Sequence, residues 1–379
     1  MIYFDNAATT LKKPDTVVKA VFDAINSFSN ASRGSYESSL NSERMILDTR
    51  ERIVKLFNGY SPNYAAFTSN STEALNTAIK GIIDKNSHVI TTSLEHNSVL
   101  RPLYEMETLG AELTIIKANN KGELNYNDIE KSIKPNTKAI ICTHASNVIG
   151  DILDIEFIGN LCTKHNILFI LDASQTAGSI DIDMKKNNID VVCFTGHKGL
   201  MGPQGTGGLC IKKGLDIKPL KTGGSGIKTY SKTHPENMPT RLEAGTLNSH
   251  SIAGLNAALE FIENETVEKI RDKERELADC FYDGVKNIEN IKLYGNYNTK
   301  KRTSIVALNI EDADSAKVSD ILSSKYNIAT RSGGHCAPLM HEALGTVKQG
   351  IVRFSFSYFN TFEEIEKGID AVREISKSL

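Results

Sequence analysis

The chain has 379 residues, of which 40% are hydrophobic and 24% are charged, and its formal net charge is −2. This composition is typical of a globular protein with two domains, or one large domain with an appendage. The near-neutral charge argues against a dedicated nucleic-acid or anionic-membrane surface, because such surfaces need a local excess of lysine and arginine. We therefore expect small molecules and other proteins as partners, with no nucleic acid and no membrane.

The first residues, MIYFDNAATT, contain no basic segment followed by a long apolar run, and no later stretch approaches the roughly 18 apolar residues of a membrane-spanning helix. We expect a cytoplasmic protein. The six cysteines include no CxxC pair, so free thiols are expected rather than a disulfide framework. Five of them lie in apolar strand or helix patterns and are interpreted as packing residues: Cys142, Cys162, Cys193, Cys210 and Cys280.

From about residue 64 onward, short apolar runs alternate with amphipathic stretches, as in successive βα units around a mostly parallel sheet. The runs interpreted as strands are YAAFTS, HVITTS, AELTIIK, AIICTHAS, ILFILDAS, VVCFTG and GGLCIK. Between them, apolar residues recur at helical spacing in STEALNTAIKGII, NSVLRPLYEMETLG, NYNDIEKSI and ILDIEFIGNLCTKHN. The sequence therefore predicts an α/β domain with helices flanking the sheet.

After about residue 249, a long helical stretch is followed by strands at IKLYG, SIVALNI, IATRSG and IVRFSFSYF, with further helices between and after them. This mixture predicts a smaller α+β domain. We place the large domain at residues 12–255 and the small C-terminal domain at 256–379, joined by the N-terminal segment 1–11. Residues 221–248 are too polar and too rich in glycine and proline for a core element, and so long a loop is usually functional.

Polar residues follow several of the predicted strands, at the edge where open α/β sheets bind ligands. Asp172 ends the run ILFILD. Its carboxylate either has a structural role, as a helix cap or in a surface salt bridge, or it holds a protonated ring nitrogen.

In TSNSTEALN, Asn70 and Glu73 have the spacing of a capping box. The same helix start, with the hydroxyls of Ser71 and Thr72, also makes a phosphate seat.

A glycine-dense turn, FTGHKGLMGPQGTGG, places Lys198 beside Thr195 and His197, without a Walker or dinucleotide-binding register. A loop lysine is usually a solvated charge, whereas a desolvated lysine amine is a Schiff-base nucleophile. Pyridoxal 5′-phosphate needs three such parts: a Schiff-base lysine, an aspartate that pairs with the pyridinium nitrogen, and a phosphate-binding helix start.

The stretch RSGGHCAP places Cys336 after Gly333, Gly334 and His335. A zinc site with His335 and His341 would lack the four ligands and paired short spacings of structural zinc, so no metal is expected. A buried packing thiol fits poorly, because the two glycines and the histidine make a polar, mobile setting. A nearby histidine and arginine would favour the thiolate.

From YFDNAATT to VRFSFSYFNT the chain resembles the class V aminotransferase family, and within it the cysteine desulfurase and selenocysteine lyase group. The resemblance implies PLP fold type I, with a large domain built on a mostly parallel sheet and a smaller α+β C-terminal domain. The compact RSGGHCAPLMH lacks the long serine-rich loop of one branch and is similar to the short-loop branch. This implies sulfur transfer to a docked acceptor or scaffold protein.

The resemblance also implies roles for individual residues. Lys198 matches the Schiff-base lysine, Asp172 the partner of the ring nitrogen, and Gln175 the donor to the cofactor's phenolic oxygen. His96 in SLEHNSVL matches the catalytic histidine that stacks on the ring. The implied phosphate contacts are Thr72, Thr195, His197 and, from the other subunit of a homodimer, Thr246. Residues 221–248 would then lie at the dimer interface.

On the substrate side, the resemblance implies contacts from Asn147 and Arg353. An arginine between apolar strand residues needs a partner, which is either an amino-acid carboxylate or a structural salt bridge. Arg33 and Arg331 match arginines that flank the active site in relatives. Ser32 stands where some relatives carry a histidine, so a proton-transfer role at that position is not expected.

The leading hypothesis is a pyridoxal-phosphate-dependent cysteine desulfurase. By the implied mechanism, Lys198 removes the Cα proton and Cys336 attacks the substrate sulfur, giving a Cys336 persulfide and L-alanine. The sulfur would supply iron–sulfur cluster or thiocofactor assembly. One alternative is a selenocysteine lyase acting on L-selenocysteine, or another class V aminotransferase or lyase. Another is a sulfur-relay or interaction protein that retains the fold without turnover.

Overall fold

The structure is a computed structural model that describes residues 1–31 and 36–378. In chain order the strands are β1 (Ile2–Tyr3), β2 (Ala65–Thr68), β3 (His88–Thr92), β4 (Glu112–Ile116), β5 (Thr137–Thr143), β6 (Leu168–Asp172), β7 (Val191–Thr195), β8 (Gly207–Ile211), β9 (Ile291–Tyr294), β10 (Ile305–Ile310), β11 (Ile328–Ala329) and β12 (Val352–Ser355). The helices are α1 (Asp15–Ser27), α2 (Glu37–Leu56), α3 (Ser71–Ile82), α4 (Asn97–Thr108), α5 (Tyr126–Lys131), α6 (Ile155–His165), α7 (Ser249–Glu265), α8 (Val267–Val285), α9 (Ser315–Tyr326), α10 (Pro338–Leu344) and α11 (Phe362–Ser376).

Within the described residues, a central sheet of seven strands has the order β2-β8-β7-β6-β5-β3-β4. Strands β4, β3, β5, β6 and β7 are parallel neighbours, and β8 runs antiparallel to both β7 and β2. Strands β3, β6, β7 and β8 are buried almost throughout, as expected for a sheet covered by helices on both faces. The predicted mostly parallel α/β architecture is confirmed.

The strand registers bring the predicted polar strand ends to one edge of this sheet. Thr143 at the end of β5 is the register partner of Asp172 at the end of β6. Thr68 of β2 and Thr195 of β7 are both paired with Gly207, on either side of β8. Because parallel strands end at the same edge, the loops that follow them share one ligand-binding margin.

The C-terminal part builds a second core. Strands β12, β10 and β9 form an antiparallel sheet, and β1 pairs in parallel with β11. Phe4, beside β1, packs with Phe281, Phe354 and Phe356 in an aromatic cluster. The long helical stretch predicted after residue 249 is two helices, because Thr266 has φ 71° and caps α8 through its side chain. The division into domains at residue 255 stays a prediction.

Residues 221–248 form an exposed loop with a 3-10 turn at Thr240–Leu242. Its far end is fixed by Glu243, whose carboxylate pairs with Arg50 at 2.7 Å and accepts the backbone N–H of Phe67 at 2.7 Å. Both charged side chains are almost fully buried. Of the helices described, none is both long and apolar enough to cross a membrane.

Candidate active site

The loops at the carboxyl edge of the central sheet enclose a cavity of about 210 Å³. Most of the residues singled out in the sequence line it: Ser71, Thr72, His96, Asn147, Asp172, Gln175, Thr195, His197, Lys198, Arg331 and Arg353. They come from segments spread over almost the whole chain, so their convergence is a property of the fold rather than of any one motif.

Asp172 is a buried carboxylate with one oxygen already hydrogen-bonded. Its Oδ1 accepts the backbone N–H of Ser174 at 2.9 Å and the hydroxyl of Ser174. Ser71 Oγ lies 2.8 Å from Ser174 Oγ and 3.5 Å from the same Oδ1. The Ser71 hydroxyl thus supports the Asp172 group. No described residue hydrogen-bonds Oδ2, so that oxygen is available to a cationic ring nitrogen.

Lys198 lies in the turn after β7, where its carbonyl accepts the hydroxyl of Thr10 at 2.9 Å. Burial lowers the pKa of the Lys198 amine to about 8, and the negative charge of Asp172 only partly opposes this shift. Near pH 8 a large fraction of the amine is therefore neutral and nucleophilic. The turn passes so close to Thr206 that a Cβ at Gly196 would meet its Oγ1 at 2.0 Å, so glycine is required there.

His96 caps the start of α4, and this capping sets its tautomer. Its Nδ1 accepts the backbone N–H of Ser98 at 3.0 Å, so the ring proton of neutral His96 lies on Nε2. Burial, followed by the charge of Lys198, lowers the pKa of His96 to about 4. Ser98 Oγ lies 2.9 Å from that Nδ1 and 2.8 Å from Thr72 Oγ1. A chain of hydroxyls therefore connects the histidine to the start of α3.

The start of α3 has the N-cap that the sequence predicts. Asn70 accepts the backbone N–H of Glu73 at 2.9 Å. The Glu73 carboxylate, however, accepts the N–H of Ser69 at 2.7 Å rather than that of Asn70, so the reciprocal half of the capping box is shifted by one residue. Thr72 at this helix start lines the cavity, which places backbone N–H groups and a hydroxyl where an anion would bind.

Four residues that line the cavity each have a buried polar atom without a hydrogen-bond partner in the described chain. The four atoms are Thr195 Oγ1, Asn147 Oδ1, Arg353 Nε and His335 Nδ1. Buried polar atoms are almost always paired in folded proteins, so this concentration indicates a polar ligand. Pyridoxal 5′-phosphate and an amino acid bound beside it fit this set of groups: the four unpaired atoms, the Lys198 amine with its lowered pKa, and the free Oδ2 of Asp172.

Arg353 is 1% exposed and has a protein partner as well as a place in the cavity. Its Nη2 pairs with Asp5 Oδ1 at 3.0 Å, and its Nη1 donates to the carbonyl of Asn147 at 2.7 Å. The structural salt bridge considered from the sequence is therefore present. Arg331 is held next to it, because the backbones of the two arginines hydrogen-bond to each other at 2.8 and 3.3 Å.

The loop that carries Cys336 differs in part from the prediction. The thiol is exposed, and both His335 and Cys336 have left-handed backbone angles, φ 47° and 56°. Cys336 does not line the cavity, but His335 does. The expectation of a polar, mobile setting is wrong for His335, which is 3% exposed and hydrogen-bonded through Nε2 to the carbonyl of Ile351 at 2.9 Å.

The chemistry expected of His335 changes accordingly. Burial, and then the charge of Arg353, lower the pKa of His335 to about 2. The ring is therefore neutral at physiological pH, and it cannot supply a positive charge that stabilises a Cys336 thiolate. Among the described residues, no group of three or more histidine, cysteine, aspartate or glutamate side chains is arranged to hold a metal ion.

Besides Cys336, one predicted site residue that the structure describes is not brought into the cavity. Thr246 lies in a separate concavity of about 260 Å³, beside Leu247 and Ser225. Arg33, like Ser32, lies outside the described residues. The assignment of individual roles to the predicted site residues stays a prediction.

The N-terminal segment and two serines, Ser98 and Ser174, also contact the site residues, although they were not predicted from the sequence. Gln175 Nε2 donates to the carbonyl of Ala7 at 3.1 Å, and His197 Nδ1 lies 3.0 Å from Thr9 Oγ1. The polar run DNAATT directly after a short apolar start was the available signal. Ser174 and Ser98 gave no comparable signal, because isolated serines in loops are common.

Comparisons with known proteins identify the family. The family model "Aminotransferase class-V" matches residues 2–367. A probable cysteine desulfurase of Pyrococcus abyssi is 33% identical over 100% of this chain and 95% of its own length. Another, from Methanothermobacter thermautotrophicus, is 30% identical over 99% and 94%. The cysteine desulfurase structure from Thermococcus onnurineus NA1 has a TM-score of 0.93 and 32% identity, with 100% of this chain and 95% of that chain covered. Class-V aminotransferases and cysteine desulfurases use pyridoxal phosphate. The chain therefore belongs to the class-V aminotransferase family.

Proposed function

We propose that the protein is a pyridoxal-phosphate-dependent cysteine desulfurase that converts L-cysteine to L-alanine and leaves a persulfide on Cys336. One observation carries the proposal: Asn147 Nδ2, in the cavity that holds Lys198 and Asp172, donates a 2.7 Å hydrogen bond to the carbonyl of His335, the residue before the exposed thiol. The names of the relatives support the same activity.

The cofactor, when bound, supplies an electron sink for carbanion chemistry at the substrate Cα. Asp172 Oδ2 would hold a protonated ring nitrogen, Gln175 would donate to the phenolic oxygen, and His96, with its proton on Nε2, would contact the cofactor. Burial lowers the pKa of Lys198 to about 8, which suits an amine that takes a proton from Cα and later returns one. Thr72, Thr195 and His197 would contact the cofactor's phosphate.

Arg353 and Asn147 hold the substrate amino acid. Arg353 Nε is a buried donor that no described residue pairs with, and it fits a carboxylate oxygen. Cys336 Sγ then attacks the substrate sulfur: the substrate C–S bond breaks, an S–S bond forms, and the carbon skeleton takes up a proton to become L-alanine. The products, L-alanine and a Cys336 persulfide, account for every atom of the substrate and the thiol. Arg331 and Arg33 are proposed to flank the substrate.

The active unit is proposed to be a homodimer in which Thr246 reaches the phosphate of the other subunit's site. Thr246 lies outside this chain's own cavity and at the end of the exposed loop 221–248, which supports that arrangement. Mixed dimers of Lys198→Ala and Thr246→Ala chains test it, because each mixed dimer then contains one intact site. Recovery of pyridoxal phosphate binding on mixing supports the shared site, and no recovery contradicts it.

The exposed position of Cys336 on a short loop fits direct transfer of sulfur to a docked acceptor or scaffold protein that serves iron–sulfur cluster or thiocofactor assembly. The free thiols of the chain are in keeping with a reducing compartment, and we propose the cytoplasm.

The test is turnover of L-cysteine and L-selenocysteine by the wild-type holoenzyme and by Cys336→Ala, with Cys280→Ala as the matched control. We expect Cys336→Ala to lose alanine and sulfide formation from L-cysteine by more than about a thousandfold while it still binds the cofactor. Full activity of this variant on L-cysteine would rule out the thiol mechanism. Activity on L-selenocysteine alone, in both proteins, would replace the desulfurase with a selenocysteine lyase.

A further inference from the structure

A carboxylate of the protein itself lies beside the arginine that is proposed to bind the substrate carboxylate. Asp5 Oδ1 is 3.0 Å from Arg353 Nη2, and its side chain is 20% exposed whereas that of Arg353 is 1% exposed. Asp5 is in turn fixed on the sheet edge, because it bridges Ser355, two residues beyond Arg353. The N-terminal segment continues from there along the cavity, where Ala7 and Ala8 are lining residues.

The segment cannot easily move away from Arg353. Asn6 Nδ2 donates to the carbonyl of Ser355 at 3.0 Å, and the backbone N–H of Ala7 donates to its hydroxyl at 2.9 Å. Beyond them, the Thr10 N–H donates to the carbonyl of His197 at 3.0 Å. The Asp5 carboxylate is therefore a permanent neighbour of the guanidinium rather than a surface charge that meets it by chance.

The guanidinium would stay in place without Asp5. Its Nη1 is held by the carbonyl of Asn147 at 2.7 Å, its backbone is paired with that of Arg331, and the side chain is almost fully enclosed. Loss of the Asp5 charge would consequently change the electrostatics at Arg353 more than its position.

The negative charge of Asp5 offsets part of the positive charge of the two arginines that line the cavity. Two arginines, Arg331 and Arg353, line the cavity close enough for the charge of one to lower the pKa of the other. With the Asp5 carboxylate present, the net charge of this group is about +1, which matches a single α-carboxylate. In a desolvated site, a bound carboxylate that shares Arg353 is also repelled by Asp5.

We propose that Asp5 is an internal counter-ion for Arg353 that limits how tightly the active site holds a carboxylate-bearing amino acid, so that L-alanine can leave. The proposal rests on the proposed function, in which Arg353 binds the substrate carboxylate. Asp5 thus sets the affinity for the carboxylate through its charge on Arg353, without itself contacting the bound amino acid.

The test compares two ligands of the holoenzyme by titration of its visible absorption: L-alanine, which has a carboxylate, and ethylamine, which has none. In Asp5→Asn we expect L-alanine to bind about tenfold more tightly than in the wild type, and ethylamine to bind within about twofold of it. The matched control is Asp312→Asn, which removes the same charge at an exposed turn and should change neither affinity.

A second measurement needs no cofactor. An uncompensated buried Arg353 destabilises Asp5→Asn, and acetate should therefore raise the melting temperature of the unloaded variant clearly more than that of the unloaded wild type. If Asp5→Asn does not accumulate in folded form, we expect Asp5→Ser to show the same changes in ligand affinity and melting temperature. A purely structural role of Asp5 predicts the opposite sign in the titration, because both ligands would bind more weakly.

Unchanged or weaker L-alanine binding in the Asp5 variants overturns the counter-ion proposal. Failure of the proposed function is distinguishable: in that case Arg353→Gln would not reduce the preference of the holoenzyme for L-alanine over ethylamine, whatever happens at Asp5.

Discussion

Asn147 and His335 join the cavity to the loop that carries the exposed thiol, through a 2.7 Å hydrogen bond from Asn147 Nδ2 to the His335 carbonyl oxygen. The same Asn147 accepts a hydrogen bond from Arg353 through its own carbonyl. On the other side of the loop, the carbonyl of Cys336 accepts the N–H of Asn97 at 2.7 Å. The thiol loop is thus fastened at two successive carbonyls, one of them to a proposed substrate-binding residue.

Replacement of Asn147 by alanine should separate cofactor binding from sulfur transfer. Without the hydrogen bond to His335, the thiol loop is less well placed, and we expect kcat for L-cysteine to fall about ten- to a hundredfold. The visible absorption of the bound cofactor should persist. Alanine formation and absorption spectra check this, with the exposed Asn120→Ala as the control. Wild-type kcat in Asn147→Ala would contradict the positioning role.

Ser174 should matter for cofactor affinity although it is not expected to touch the reacting atoms. Its backbone N–H and hydroxyl both hydrogen-bond Asp172 Oδ1. Ser174→Ala removes the hydroxyl contact, which is worth about 1 kcal/mol or somewhat more for a charged acceptor. We expect the dissociation constant for pyridoxal phosphate to rise about three- to tenfold. Equilibrium dialysis measures it, and Ser27→Ala on the exposed face of α1 should show no change.

Glu274 should make the stability of the protein fall as the pH rises. Burial raises the pKa of Glu274 from its ordinary value of 4.5 to about 8, so the folded protein holds a proton that the unfolded chain releases. Hydrogen bonds from the Tyr358 backbone N–H at 3.2 Å and from Ser304 Oγ at 3.5 Å favour the charged carboxylate, but they only partly oppose the effect of burial. The stabilisation is complete below about pH 4.5 and is lost as the pH rises through about 8.

Glu274→Gln, which is neutral at every pH, should remove this dependence. We expect little change in the free energy of unfolding at pH 5, and a gain of roughly 2 to 4 kcal/mol over the wild type at pH 9. Urea denaturation at both pH values measures the difference, with Glu276→Gln on the exposed face of the same helix as the control. An equal gain at pH 5 and pH 9 would show that Glu274 does not titrate in this range.

Glu243 should control the order of the loop 221–248. Glu243→Gln leaves Arg50 buried without a counter-ion, a change that typically costs about 3 kcal/mol. We expect a lower urea midpoint and faster tryptic cleavage at Lys228 or Lys232, which lie in the loop. Glu236→Gln, an exposed change in the same loop, should behave as the wild type. If the loop carries Thr246 to a partner's site, Glu243→Gln should also weaken cofactor binding.

The parallel sheet, its flanking helices and several site residues can be predicted from the sequence itself. Alternating apolar runs and helical periodicity indicate the parallel sheet, because a strand buried on both faces and a helix buried on one leave different spacings of apolar residues. Asp172, Lys198 and the start of α3 could be recognised because each follows a strand or opens a helix. Their residue types and their places after a strand or before a helix are local properties of the sequence.

Other properties depended on the tertiary structure, because they arise between residues far apart in the chain. Ser174 supports Ser71 across 103 positions, and Asp5 meets Arg353 across 348. His335 stands in a glycine-rich run that suggests exposure, yet in the fold it is buried and hydrogen-bonded to Ile351 and Asn147. Burial, and then the charge of Arg353, lower its pKa. Composition and spacing identify the groups that can react, whereas burial and partnership, which set their charge, are decided only when distant segments pack together.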